Sequence, residues 1–395
     1  MLIIYLLIAL DVLSFVTNLA IQTKHVLLLG GSFFAIGLLG SLSSLLSVVW
    51  RPIAGHLSDQ KNKQDVIIWC LLLSLFGNIL AWASPSMWLY STAKVICVAN
   101  TAVQTLLKTT VTDLCASDEE SSKVFNKLGA FNSIAFLFGI VLGSHIADYE
   151  RGIDYAYLLI ISNIVVSIGL VKTLPRVDSK GTKHDDKDVG LIEGALKEVQ
   201  SVYIDLKKLV VSPRYWDIFT IHLLIECGFF MYYNSSGLTL RTQHNMSEKY
   251  IGYLITLIMV VSVGCRLVMS KMKSKFYPTD LGYLMLWHST LAEALAYLTL
   301  ALTSSLAVFV LAMAAVSCAK TFIDTALNNL LLSRTEASEK GIVISSFDNV
   351  VSVGQVLGPL LAGTVSEIFG IRSSYIVGAV FMFVGSQIAN TQRTR

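Results

Sequence analysis

Twelve apolar stretches, each long enough to cross the hydrocarbon core of a bilayer, leave this chain few folds to choose from. They lie near residues 2–21, 32–54, 65–84, 87–110, 124–146, 154–174, 216–238, 249–270, 279–302, 304–332, 342–366 and 373–391. A helical crossing needs about 20 residues. A segment in lipid must satisfy its backbone donors and acceptors internally, so each stretch reads as a transmembrane helix. Composition agrees: 14% of the 395 residues are charged and 54% are hydrophobic, whereas a soluble domain carries roughly a quarter charged. No basic residue precedes the first stretch. It is also too long for the apolar region of a signal peptide and reads as a retained helix.

The placement of charge sets the orientation. With the N-terminus in the cytoplasm, the even-numbered loops carry Lys61, Lys63, Lys123, Lys127, Lys271, Lys273 and others, and the odd loops only Lys24, Arg151, Arg241, Lys249 and Arg372. An excess of lysine and arginine marks the cytoplasmic side, so both termini are expected there. The topology suits the plasma membrane and endomembranes alike. The six cysteines fall in spans or a cytoplasmic loop and none makes a CxxC pair, so neither a disulfide framework nor a metal site is expected. Two sequons, at Asn234 and Asn245, flank the outer loop after the seventh span. They lie too close to the membrane for modification to be expected.

The longest polar interruption divides the chain into a first six-helix bundle at 1–174, a cytoplasmic linker at 175–214 and a second six-helix bundle at 215–395. The linker opens with mixed charges and no apolar period, then places Ile192, Leu196, Val199, Val202, Tyr203, Leu206 and Val210 at three- and four-residue spacing. That spacing predicts an amphipathic helix on the membrane surface. The halves also repeat. A shift of 215 puts Asp11 on Glu226 and Arg51 on Arg266, and a shift of 219 puts Gly139-Ile140-Val141-Leu142-Gly143 on Gly358-Pro359-Leu360-Leu361-Ala362. Such offsets fit a parallel duplication, and transporters of this build place the substrate at the repeat interface.

After the second span comes Gly55-His56-Leu57-Ser58-Asp59-Gln60-Lys61-Asn62-Lys63, which resembles the cytoplasmic loop motif of the major facilitator superfamily. Ala93-Lys94-Val95 and Thr112-Asp113-Leu114 in the fourth span are similar to further elements of that superfamily, with Lys94 in place of arginine. Leu10-Asp11-Val12 and the stretch from Lys108 to Leu114 are most similar to its tetracycline-resistance-like branch and the orphan animal relatives of that branch. The resemblance implies an all-α polytopic membrane protein: twelve transmembrane helices in two pseudo-symmetric six-helix bundles, the major facilitator fold. Gln60 and Asn62 depart from the loop motif, and Ile140 stands where antiporters of the branch carry the proline of a Gly-Pro pair; the eleventh span keeps Gly358-Pro359.

Ionisable residues within spans are the informative exceptions, because each costs about 2.5 to 3.5 kcal/mol at the bilayer centre. Asp11 and Glu226 lie near the middle of their helices and, with Lys94, form the candidate substrate or proton site. An alternative for Asp11 is a salt bridge to Lys94 that fastens the first helix to the fourth. Lys320 and Asp324, one helical turn apart, read as a structural ion pair, and Glu293 lies on a ninth helix that packs peripherally in this fold. Gly55, Asp59, Lys61, Lys63 and Asp113 form the candidate cytoplasmic gate, with Asp59 as its latch and Lys61 and Lys63 as topology signals. Gly139, Gly143, Gly354, Gly358 and Pro359, together with Gly40 and Ser44, mark small-residue faces for close helix contact.

The function these features imply is a secondary active transporter working by alternating access, with protons as the ion where transport is coupled. A non-transporting receptor or regulator with the same fold is the alternative. No HExxH, GxSxG or phosphate-binding GK[ST] loop is present, so neither an enzyme nor a nucleotide-driven pump is expected. Nor is any cofactor. The implied partners are a small-molecule solute, membrane lipid and protons, with no nucleic acid, and the chain is expected to work as a monomer.

Overall fold

The computed structural model describes residues 2–115, 118–174, 200, 204, 212–277, 282–336 and 339–393. Twelve helical spans account for nearly all of them, and among the described residues there is no strand. The first six are α1 (Leu2–Leu28), α2 (Phe33–Gln60), α3 (Lys63–Trp82), α4, α5 (Asp118–Asp148) and α6 (Gly152–Lys172). The second six are α7 (Trp216–Thr242), α8 (Glu248–Phe276), α9 (Tyr283–Leu302), α10 (Leu306–Arg334), α11 (Lys340–Phe369) and α12 (Ser373–Arg393). The surface helix expected in the linker falls outside the described residues, apart from Gln200 and Ile204.

The fourth span departs from the uninterrupted helix that its apolar run suggests. It consists of two α-helical pieces, Met87–Cys97 and Val103–Leu114, joined by a 3-10 turn at Val98–Ala102. Among the described residues eight helices are long and apolar enough to cross a membrane on those grounds alone. The other four are α4, split by its turn, and α7, α9 and α12, whose apolar runs are diluted by polar residues such as His222, Glu226 and Glu293.

Local chemistry sets the helix ends. Asn62 caps α3, its Oδ1 accepting from the Gln64 amide at 2.9 Å, and Ser86 caps α4 through Leu89 at 3.4 Å. Such caps satisfy amides that the first turn leaves unpaired. The chain reverses after α1 at Gly30, where φ is 75°, a conformation that suits a residue without a Cβ.

Packing displays the duplication. In the first half α1 packs on α5 and α6, and α3 on α4 and α6; in the second, α7 packs on α11 and α12, and α9 on α10 and α12. Each pairing recurs six helices later. The chain divides into two compact units: Met1–Gly31 with Leu42–Gln200 and Ser247–Tyr253, and Ser32–Ser41 with Ser201–Met246 and Leu254–Arg395. Within the second unit the start of α2 rests on α11, where a Cβ on Gly37 would stand 2.2 Å from the Pro359 carbonyl. Within the first, the start of α8 rests on α5, with the Tyr253 hydroxyl 2.9 Å from His145 Nε2.

The small-residue faces of α5 and α11 lie at helix contacts inside each half, whereas Gly40 of α2 faces Pro359 of α11. A Cβ on Gly143 would come within 2.9 Å of Thr17 Cα on α1, and one on Gly354 within 2.6 Å of Glu226 Cβ on α7. Gly139 faces Leu13 and Val16 of α1, and Gly358 faces Phe230 of α7. These contacts join helices of the same half. Close approach here lets α5 and α11 press the first helix of each half against its neighbours.

Candidate functional site

In the first half α1 and α4 run antiparallel, so residues early in α1 meet residues late in α4. Asp11 is half-buried, and its two carboxylate oxygens accept from Asn100 Nδ2 at 2.5 Å and Gln104 Nε2 at 2.8 Å. Asn100 lies in the 3-10 turn and Gln104 in the helical piece that follows it, and both reach the same carboxyl. Asp11 borders a cavity of about 10 Å³, the space one water occupies.

Lys94 does not pair with Asp11. Its ammonium donates to Asn18 Oδ1 and stands 5.2 Å from the centre of the Tyr90 ring. The physical reason is register: Lys94 precedes Asn100 and Gln104 by six and ten residues, about 9 to 15 Å along a helix, and so meets α1 two turns past Asp11. Lys94 is 5% exposed, and among the described residues no carboxylate lies within ion-pair distance of it.

The second half holds the equivalent arrangement in charged form. Glu226 on α7 is 4% exposed. Its Oε1 accepts from Lys320 Nζ at 2.6 Å and lies 3.2 Å from His222 Nε2. Lys320 also donates to Asp324 Oδ1 at 2.5 Å and lies 5.3 Å from the Phe229 ring centre. Lys320 and Asp324 are therefore not a separate structural pair; the lysine is shared with the candidate carboxylate. His222 is stacked on Phe347 at 3.8 Å, which fixes its ring against Glu226. Glu293 is fully buried on α9, with Oε1 accepting from the Tyr297 hydroxyl at 2.8 Å.

Asn100 and Gln104 fall on Lys320 and Asp324 at a shift of 220. Each half thus builds one carboxyl on its first helix against an i, i+4 pair on its fourth. Sequence reasoning missed the amide pair because neutral residues do not stand out in an apolar span, although the spacing was there to be read.

At the other end of these helix pairs lies a second set of contacts. Lys63, the first residue of α3, is ion-paired with Asp113 near the end of α4, with side chains 11% and 16% exposed. Lys63 is thus more than a solvated topology signal, whereas Lys61 is exposed and Gly55 has open space where a Cβ would stand. The side chain of Asp59 is outside those described. In the second half Arg334, which ends α10, donates to Asp217 Oδ1 at 2.8 Å and to the Tyr283 hydroxyl at 2.5 Å. The sign is reversed: the fourth helix of one half ends in an acid, that of the other in a base.

Comparison with known proteins bears on this architecture. The sequence matches the Major Facilitator Superfamily over residues 1–286 and 282–389. It is 21% identical over 135 residues to a class H tetracycline resistance protein of Pasteurella multocida, spanning 34% of each chain. It is 23% identical over 238 residues to an uncharacterized transporter of Buchnera aphidicola, 60% of this chain and 58% of that one. The chain thus spans less than two thirds of the length of these relatives. Among solved structures, the nucleoside transporter NupG superposes with a TM-score of 0.79 at 12% identity, covering 100% of this chain and 99% of that one. The human organic anion transporter MFSD10 gives 0.61 at 18% identity, covering 98% of both. At these identities the structures testify to the fold. With twelve spans, a duplicated packing plan and a family match along nearly its whole length, the chain belongs to the Major Facilitator Superfamily and is a multi-pass membrane protein.

Proposed function

We propose that the protein is a secondary transporter that moves a small solute by alternating access and carries a proton on Asp11, with Glu226 as the corresponding group of the second half. The observation that supports this most is the environment of Asp11. It is a mid-span carboxyl that faces two amides and a water-sized cavity and has no ion-pair partner among the described residues. A carboxyl held this way can be charged or neutral without breaking an ion pair, which is what a coupling group requires. Glu226 is already engaged by Lys320 and His222, so on this reading it holds α7 against α10 until a solute competes for one of its partners. The small-residue faces provide close helix contact, and Lys63 with Asp113 and Arg334 with Asp217 fasten helix ends on the side read as cytoplasmic. Both termini face the cytoplasm, and one chain surrounded by lipid suffices.

Purified protein reconstituted into sealed vesicles tests the reading with a panel of labelled cationic, zwitterionic and neutral small solutes under an imposed pH gradient. The expected result is gradient-driven uptake of at least one solute. In Asp11→Asn the response to the gradient is lost while thermal stability and solute binding are kept. If Asp11→Asn keeps the wild-type response, the proton assignment fails; if solutes bind and none moves, the protein is a receptor.

A further inference from the structure

The amide pair that holds Asp11 has a property its charged counterpart lacks. A side-chain amide both donates and accepts, whereas an ammonium only donates. Asn100 uses its Nδ2 on Asp11, and its Oδ1 is buried with no hydrogen-bond partner among the described residues. A proton on Asp11 would give this oxygen a donor once the amide turns, Nδ2 then taking the unmatched place, so the number of unmatched groups is the same in the two protonation states. Once protonated, the carboxyl has an O–H to give. Asn100 then accepts through Oδ1 after a turn of its amide, while Gln104 Nε2 continues to donate to the other oxygen. Assignment of O and N in an amide rests on its hydrogen bonds, so the same side chain fits both states.

The rest of the surroundings do not compete for this role. The cavity wall near Asp11 is formed by Leu7, Ser14, Leu71, Val103, Ile164 and Ser167, from α1, α3, α4 and α6. On α5, which packs along α1, residues 131–143 include no titratable side chain. The nearest cations on α4 are Lys94, bonded to Asn18, and Lys108, exposed one turn beyond Gln104, and neither is ion-paired with Asp11.

We infer that Asn100 is a positioning residue for proton exchange at Asp11, an amide that accepts from the protonated carboxyl and donates to the ionised one. Lys320, at the equivalent place in the second half, holds Glu226 in the ionised form only. This inference rests on the reading of Asp11 as the proton-binding group. The step is a single protonation: a proton from water adds to one carboxylate oxygen, the new O–H points to Asn100 Oδ1, and the proton leaves by the same bond.

Infrared difference spectroscopy of the purified protein, titrated between acidic and neutral pH, tests this without a solute. The wild type should show a protonated-carboxyl band that disappears as pH rises, and Asp11→Asn should lack it. Asn100→Gln, which keeps an amide, should retain the band. Asn100→Lys, which can only donate, should lose it over the whole range. In the mirror variant, His222→Leu and Lys320→Asn with Asp324→Gln, which takes both basic partners from Glu226, a new titrating band should arise from Glu226, and this arm decides the matter if Asn100→Lys does not fold. A wild-type spectrum with no band that Asp11→Asn removes would overturn the proton site and this inference together. If the Asp11 band is unchanged in Asn100→Lys, or the mirror variant folds without a new band, the proton site stands and the role of Asn100 falls.

Discussion

The two halves of this protein solve one problem in two ways. Each must hold a carboxyl in the middle of its first helix against its fourth. The first half does so with two neutral amides, and the second with a lysine shared between two acids and a histidine alongside. The packing plan is the same on both sides, so the difference lies in what each site loses when a partner is removed. An ion pair at low exposure has already lost its hydration, and taking away one member strands the other. An amide cradle holds its acid with dipoles and can lose one donor at modest cost. The charged half is therefore the rigid one electrostatically, and on the proposed reading the neutral half is the one that changes protonation while keeping its structure.

The sharpest test of that contrast is to remove one partner from each side. Lys320→Met should destabilise the protein by about 3 to 5 kcal/mol by stranding Glu226. The further change Glu226→Gln should restore most of the loss, and Asn100→Leu should cost less, about 1 to 3 kcal/mol. Melting temperatures in detergent measure all three, and equal losses for Lys320→Met and Asn100→Leu would erase the distinction.

Packing, unlike charge, should respond alike in the two halves. Gly143→Val and Gly354→Val each place a side chain where a Cβ would already lie 2.9 Å from Thr17 Cα or 2.6 Å from Glu226 Cβ. Overpacking of this sort costs about 2 kcal/mol. Similar drops in melting temperature are expected, and a much larger drop for one would show that the halves differ in rigidity as well as in charge. The smallest effect is expected at Arg214 and Glu336, an exposed pair at 2.8 Å with side chains 43% and 64% exposed. Water and salt screen such pairs. Arg214→Gln should leave the melting temperature unchanged, and a measurable fall would mean that this pair carries structure in the second half.

Much of the fold was written plainly in the sequence, because crossing a bilayer demands some twenty apolar residues and eight of the twelve spans meet that demand outright. The duplication could be read from Asp11 and Glu226, which stand out as carboxyls among leucines and isoleucines. What could not be read was partnership. Lys94 looked like the natural mate of Asp11 by charge, and only the antiparallel register of α1 and α4 shows that it meets Asn18 instead. Asn100 and Gln104 were silent because an amide in a span raises no alarm in a hydropathy profile. Lys320 and Asp324 were visible, but their spacing alone pointed to each other and not to α7.

The turn at Val98–Ala102 has a rotational consequence. An α-helix advances about 100° per residue and a 3-10 helix about 120°, so five residues of the tighter winding add about 100° of twist. In an unbroken α-helix Lys94 and Gln104 would point about 80° apart; with the insertion they differ by only about 20°. The turn acts as a phase shifter, bringing two polar side chains ten residues apart onto the single azimuth that faces α1. α10 is α-helical from Leu306 to Arg334, and the residue at the place of Lys94, by the shift of 220, is Ala314. Without the phase shift, a lysine there would be turned away from α7, and the second half concentrates its charge on one turn.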